Sequence, residues 1–127
     1  MIRGIESVLL FSQDAKKLAA FYREKVGIKI ELMGEMGDEG DEVYGTGWKK
    51  GSDLAIIDHS KVKGKSSQPE RYMINFEVDD IEGEVKKVKG NGVKLIQDIY
   101  HVEDYGHIAT FEDIDGNYFQ LVQVRAS

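Results

Sequence analysis

Apolar positions along the chain follow two rhythms, one alternating every second residue and one recurring every third and fourth, and the rhythms appear in the same order twice. Residues 2–11 (IRGIESVLLF) are β-rich and end at Ser12-Gln13-Asp14, where the Asp14 carboxylate is placed to accept from the free amides of a first helical turn. Leu18, Phe21, Tyr22 and Val26 then form one apolar stripe, with Lys16, Lys17, Arg23 and Glu24 outside it. This predicts a helix over 15–25 that stops at Gly27. IKIEL (28–32) alternates like a strand. The Gly-rich acidic run 34–42 reads as a solvated loop, and 43–50 and 53–58 read as a strand pair turning at Gly51-Ser52. Residues 59–69, with three lysines and the only proline, Pro69, read as a linker.

The order then starts again. YMINFEV (72–78) is a strand, Asp79-Asp80 offers a second cap, and Ile81, Val85 and Val88 mark a second amphipathic helix with Glu82 and Lys86 as an i,i+4 pair. Gly90-Asn91-Gly92 stops that helix. Strands follow at 93–96, 105–112 and 117–124, the last two joined by the turn Asp115-Gly116-Asn117. Asp14 to Gly27 is 13 positions and Asp80 to Gly92 is 12, while Gly51 and Gly116 stand 65 apart before SDLAII and NYFQLV. The pattern predicts an α+β chain of two βαβββ modules, 2–58 and 70–124, joined by linker 59–69 within one domain spanning 1–127.

One helix covers only one face of a four-stranded sheet. Alternation puts Val8, Leu10, Leu54, Ile56, Ile74, Phe76, Phe119 and Leu121 under the helices. Ser7, Leu9, Ala55, Ile57, Met73, Asn75, Glu77, Tyr118 and Gln120 then point the other way. Polar Ser, Asn, Glu and Gln at strand centres are costly in a dry core and ordinary in a solvated or ligand-filled cleft. They therefore predict that the two uncovered faces line a small-molecule pocket.

Composition narrows the choice of ligand. Apolar residues make up 41 %, enough for a core, and there is no cysteine, so no disulfide, thiolate metal site or cysteine nucleophile is available. The net charge of −6 and a pI of about 5.1 argue against nucleic acid or an anionic membrane as partner. No run approaches the ~20 apolar residues of a membrane span, and residues 1–12 lack a signal-peptide pattern, so the expected location is the cytoplasm.

Three segments carry a resemblance. GIESVLLFSQDAKKLAAFYREKVGIK, with Phe21-Tyr22 before Gly27, resembles the first strand and helix of the vicinal-oxygen-chelate superfamily. That group contains glyoxalase I, extradiol dioxygenases, methylmalonyl-CoA epimerase, and fosfomycin- and bleomycin-resistance proteins. MINFEVDDIEGEVKKVKGNGVK resembles its second strand and helix. YGHIATFEDIDGNYFQLVQ resembles its closing hairpin, with Ile114 where a proline is usual. The resemblance covers roughly residues 2–124 and implies paired βαβββ modules forming an open, cupped mixed sheet. It also implies metal-ligand positions on the first and last strand of each module. Carried onto this chain they fall on Ser7, Ala55, Met73 and Gln120, where metal enzymes have mainly His and Glu. A divalent ion needs at least three imidazole or carboxylate donors, so no metal site and no cofactor are expected, and the chain is most similar to the metal-free bleomycin-resistance-like members.

The remaining constellations are weaker. His101, Glu103, Asp104 and His107 have no known ligand spacing and read as surface side chains plus one pocket-wall histidine. Asp58-His59-Ser60 cannot converge as a triad on an extended chain, and Gly45, Gly47 and Gly51 do not have dinucleotide-binding spacing. Tyr44, Thr46 and Trp48 alternate and match Tyr105, His107 and Ala109 in the second half. They are either aromatic walls for a ligand or ordinary packing and dimer contacts. Glu77 shares a face with Met73 and Asn75, or sits at an exposed strand end. The expected ligand contacts are Ser7, Tyr44, Trp48, Met73, Asn75, Glu77, Tyr105, His107 and Gln120, with His107 and Glu77 the candidates for any acid–base role. The first expectation is a homodimeric, metal-independent protein binding a small organic molecule. A metal-dependent glyoxalase-type lyase, isomerase or dioxygenase, a metal-free enzyme, and a ligand-free structural or regulatory dimer are the alternatives.

Overall fold

The computed structural model describes residues 1–36, 40–49 and 51–124. The chain divides into two compact units, Met1–Gly64 and Lys65–Ser127. In the first unit, strand β1 (Ser7–Ser12) leads into helix α1 (Ala15–Phe21), which continues as one π-helical turn (Tyr22–Val26) before β2 (Glu31–Met36), β3 (Asp41–Gly45) and β4 (Asp53–Asp58). In the second, β5 (Ile74–Glu77) leads into α2 (Ile81–Gly90) and then β6 (Lys94–Val102), β7 (Gly106–Glu112) and β8 (Tyr118–Val124). The sheets have the same topology, β1-β4-β3-β2 and β5-β8-β7-β6, each with one parallel pair, β1/β4 or β5/β8. The repeated rhythm in the sequence is therefore a repeated βαβββ fold. Among the described residues no helix is long and apolar enough to cross a membrane.

Both helices start where the sequence predicts. The Asp14 carboxylate accepts from the Lys17 N–H at 3.1 Å, and that of Asp80 accepts from the Gly83 N–H at 3.2 Å. A second acceptor comes from the sheet in each unit. Asp58 Oδ1 accepts from the Ala15 N–H at 2.7 Å, and Gln123 Oε1, 65 positions later, accepts from the Ile81 N–H at 2.9 Å. The final strand of each module thus holds the first turn of its own helix, using a residue whose parity faces the helix. Asp58→Ala and Gln123→Ala are each expected to cost about 1 kcal/mol in urea denaturation, the value of a lost N-terminal cap. At the other end Gly27 adopts φ 95, the left-handed conformation that glycine allows, and its N–H donates to the Tyr22 carbonyl. On α2 an i,i+3 ion pair joins Lys87 to Glu84 at 2.7 Å, where the sequence predicts the i,i+4 pair Glu82–Lys86.

Under α1, Leu18, Tyr22 and Val26 are buried against Leu54 and Ile56, as the stripe predicts. Under α2, Ile81, Val85 and Val88 are buried with Phe76, Phe111, Phe119 and Leu121. Phe111 and Phe119 stack at 5.7 Å, and Phe76 meets Phe119 edge-on at 6.0 Å. Several element boundaries differ from the sequence reading: the strand expected over 28–32 starts at Glu31, and that expected over 72–78 spans Ile74–Glu77. The acidic run 34–42 is not all loop: β2 reaches Met36 and β3 starts at Asp41, because pairing of Glu35 with Glu42 and Met36 with Asp41 overrides local composition, while residues 37–39 lie outside the described residues. The strand expected over 43–50 ends at Gly45, and the strand expected over 93–96 runs on to Val102.

Candidate functional site

Strand register decides which side chains share a face. In the second unit Asn75 is opposite Gln120, Glu77 is opposite Val122, and Gln120 is opposite Thr110. These residues alternate with Phe76, Phe119 and Leu121, so they lie on the face away from α2. There the Gln120 side-chain amide donates to Thr110 Oγ1 at 2.9 Å, and Thr110 is buried. This polar pair is the most constrained feature of the helix-free face. Asn75 and Glu77 are exposed on the edge strand beside it. The face is not uniformly polar, since Ile108 and Val122 are also buried on it. In the first unit Ser7, Leu9 and Ala55 occupy the corresponding face, with Leu9 paired to Ala55. Met73 falls immediately before β5, two residues and so one pleat repeat from Asn75.

Four expected contacts do not join this set. Tyr44 is opposite Ile56, on the helix side, and is buried. Its hydroxyl donates to the Glu42 carboxylate. That hydrogen bond, then burial, then the negative charges of Glu42, Asp58 and Asp14 push its pKa up to about 12. Asp14 and Asp58 flank the start of α1, which itself places the phenol beneath that helix. His107 is opposite Gln123, the residue that caps α2, so it too lies on the helix side. Glu77 and His107 thus sit on opposite faces of one sheet and cannot converge as an acid–base pair. Trp48 follows the end of β3 and Tyr105 precedes the start of β7. Both are exposed outside the ladders, so the expected aromatic stripe is not one surface. The structural counterpart of Tyr44 is Ala109, opposite Leu121 as Tyr44 is opposite Ile56, and not Tyr105.

Thr110 was missed by the sequence reading, which gave the other parity of β7 to the cleft. The signal was present: Ala109 and Phe111 are apolar where Thr110 and Glu112 are polar. The Tyr44 pair carries a pH signature. A phenol whose pKa rises on folding contributes stability that is complete below pH 10 and is lost as the pH climbs from 10 through about 12. Tyr44→Phe is expected to flatten that alkaline loss in denaturation curves. At pH 7 it is expected to cost only about 1 kcal/mol, because Glu42 is exposed and water replaces the hydroxyl.

The donor set bears on whether this face could hold a metal. At the four positions that the resemblance implies for metal ligands, this chain has a hydroxyl (Ser7), no donor (Ala55), a thioether (Met73) and an amide whose NH2 donates to Thr110 (Gln120). These residues do not fit a divalent oxygen-chelating ion. Among the described residues no three His, Cys, Asp or Glu side chains come together to hold one elsewhere.

Comparison with known proteins sets these features in a family. The chain is 33 % identical over 121 residues to the uncharacterized protein YetH of Bacillus subtilis, covering 95 % of this chain and 98 % of YetH. It is 24 % identical over 124 residues to the fosfomycin resistance protein FosX of Listeria monocytogenes, covering 95 % and 90 % of the two. A variant of FosX solved with Mn(II) and 1S,2S-dihydroxypropylphosphonic acid matches with a TM-score of 0.69 over 98 % of this chain and 93 % of that one. TnmS3, an antibiotic binding protein from Streptomyces sp. CB03234, is 22 % identical with a TM-score of 0.71, covering 98 % of each chain. The family model for the Glyoxalase/Bleomycin resistance protein/Dioxygenase superfamily matches residues 4–121. With that match running from before β1 into β8, across both βαβββ modules, the chain belongs to the Glyoxalase/Bleomycin resistance protein/Dioxygenase superfamily.

Proposed function

We propose that this chain is a metal-independent small-molecule binding protein in which modules 2–58 and 70–124, joined by 59–69, work as one domain. The observation that carries the reading is the donor set: Ser7, Ala55, Met73 and Gln120 stand where an ion would need imidazoles and carboxylates. A ligand is then held by shape and hydrogen bonding. Gln120, oriented by Thr110, and Asn75 supply directional polar contacts on the helix-free face of the second module, with Met73 and Glu77 beside them, and Ser7 offers a hydroxyl on the corresponding face of the first. The antibiotic-binding neighbour TnmS3 supports a fold of this kind serving as a binder.

The test is a thermal-shift screen of small organic compounds against the full chain before and after EDTA treatment. A hit is expected to raise Tm by several degrees equally in both samples. Gln120→Leu is expected to weaken that hit about tenfold, the value of one well-placed hydrogen bond. Stabilisation that appears only when Mn2+, Zn2+ or Ni2+ is restored overturns the reading. That outcome would favour the alternative, a metal-dependent lyase, isomerase or dioxygenase, for which the likeness to FosX with its Mn(II) is the supporting observation.

The working form is a homodimer in the cytoplasm. Support for the dimer comes from edge strand β2, which leaves Leu32, Met33 and Met36 exposed. The absence of cysteine fits a reducing compartment. Light scattering should return twice the chain mass of 14.3 kDa, and a monomer would remove the dimer. Cell fractionation checks the compartment.

A further inference from the structure

The hairpin between β6 and β7 is turned by Glu103, Asp104 and Tyr105. Asp104 takes φ 63, a left-handed conformation that Asp tolerates better than most residues. The Tyr105 N–H donates to the Val102 carbonyl at 3.1 Å, and Gly106 begins β7. This tight turn fixes the register: Val102 opposite Gly106, and His101 opposite His107. Directly opposed residues on an antiparallel pair carry their side chains side by side on one face. The two imidazole ring centres are 4.9 Å apart with their planes at 43°. Both residues are exposed, and neither imidazole has a hydrogen bond or ion pair among the described residues.

That spacing suits a shared ion. A ring nitrogen binds a late first-row metal at about 2.0–2.1 Å and lies about 1.2 Å from its ring centre, so each centre would sit about 3.2 Å from the ion. Two centres 4.9 Å apart then subtend roughly 100° at the ion, between the octahedral and tetrahedral angles. We propose that His101 and His107 form a two-imidazole chelating site for a divalent transition-metal ion of the Ni2+, Cu2+ or Zn2+ class, with water completing the coordination. Imidazole selects these ions over Mg2+ and Ca2+, which prefer oxygen donors. Glu103 and Asp104 stay in the turn, and no third His, Cys, Asp or Glu of the described residues joins the pair. The site lies on the helix side of the second sheet, since His107 is opposite Gln123. Asn75 and Gln120 are on the other face, so the chelate is independent of the proposed ligand contacts.

The experiment is an Ni2+ titration of the untagged full chain, stripped with EDTA and desalted, followed by paramagnetic broadening of amide resonances and by calorimetry. One Ni2+ per chain is expected, with broadening centred on His101 and His107 and undisturbed by excess Mg2+. His101→Gln and His107→Gln are each expected to weaken binding about tenfold or more, because a chelate becomes a single-ligand contact. His59→Gln is expected to change nothing; His59 is the only other histidine, packs its ring on Phe11, and accepts from the Lys61 N–H. Broadening centred on His59, or wild-type affinity in either hairpin variant, overturns the proposal. The EDTA-treated ligand screen reads the binding function separately, so either reading can fail without the other.

Discussion

Gly106→Ala is expected to destabilise the second module by about 4 kcal/mol or more, which is at the extreme of single-residue effects. Gly106 is buried at the start of β7, with φ 151, and pairs with both Val102 and Val124. A Cβ built there lies 2.1 Å from the Gln123 carbonyl oxygen and 2.9 Å from the Val124 Cα. Both obstacles are backbone atoms of the adjacent strand, so no rotamer change relieves them. β7 must move away from β8, and the ladder that carries Phe111 and Phe119 opens with it. Gly92→Ala separates the two causes of damage, since Gly92 has φ 84 but open space where the Cβ would go. It is expected to cost only about 1–2 kcal/mol, the price of a left-handed backbone for an L-residue. Urea denaturation of the three proteins reads the difference. Equal midpoints for the two variants would show that β7 and β8 are not packed as closely as described.

The turn between β7 and β8 supplies the second large effect. Asp113 is a buried carboxylate. Its Oδ1 accepts from the backbone N–H groups of Asp115 at 2.8 Å and Asn117 at 3.0 Å, and its Oδ2 accepts from the Asn117 side-chain amide at 3.1 Å. Its own N–H donates to the Asn117 carbonyl at 2.8 Å, and Gly116 closes the loop at φ 77. Asp113→Ala removes an ionised acceptor from three donors. With hydrogen bonds to a charged group worth about 1.5–3 kcal/mol and water reaching part of the turn, the expected loss is about 3 kcal/mol. Asp113→Asn keeps one acceptor oxygen and is expected to lose roughly half of that. Denaturation curves and the hydrogen-exchange rates of the Asp115 and Asn117 amides check both. An Asp113→Ala protein within 0.5 kcal/mol of the parent, about the scatter of neutral surface substitutions, would reject this role for the carboxylate.

Both positions show how legible the chain is before it folds. Asp113 and Gly116 belong to the DIDGN run that carries the resemblance, yet turn chemistry alone points to Asp115-Gly116-Asn117 and gives Asp113 no task. Nothing local in the sequence marks Gly106, because its constraint is the backbone of β8, a strand that starts twelve residues later. The polar face was read correctly at Ser7, Asn75, Glu77 and Gln120, and incorrectly at Tyr44 and His107. The strands carrying the first group alternate clearly with large apolar neighbours. Tyr44 and His107 were placed by analogy between the halves, and the true register matches Tyr44 to Ala109 instead.

The sequence by itself determined the element order, the caps at Asp14 and Asp80, the two helix stripes and the duplicated βαβββ plan. All of these are written in nearest-neighbour chemistry and in the period of apolar residues. Only the tertiary structure decided the parity of β3 and β7, the reach of β2 and β6, the pairing of Gln120 with Thr110 and the meeting of His101 with His107. A period of two says that neighbours part company but not which set goes inside. That choice is made by hydrogen bonds to other strands, and a shift of one residue would exchange every face.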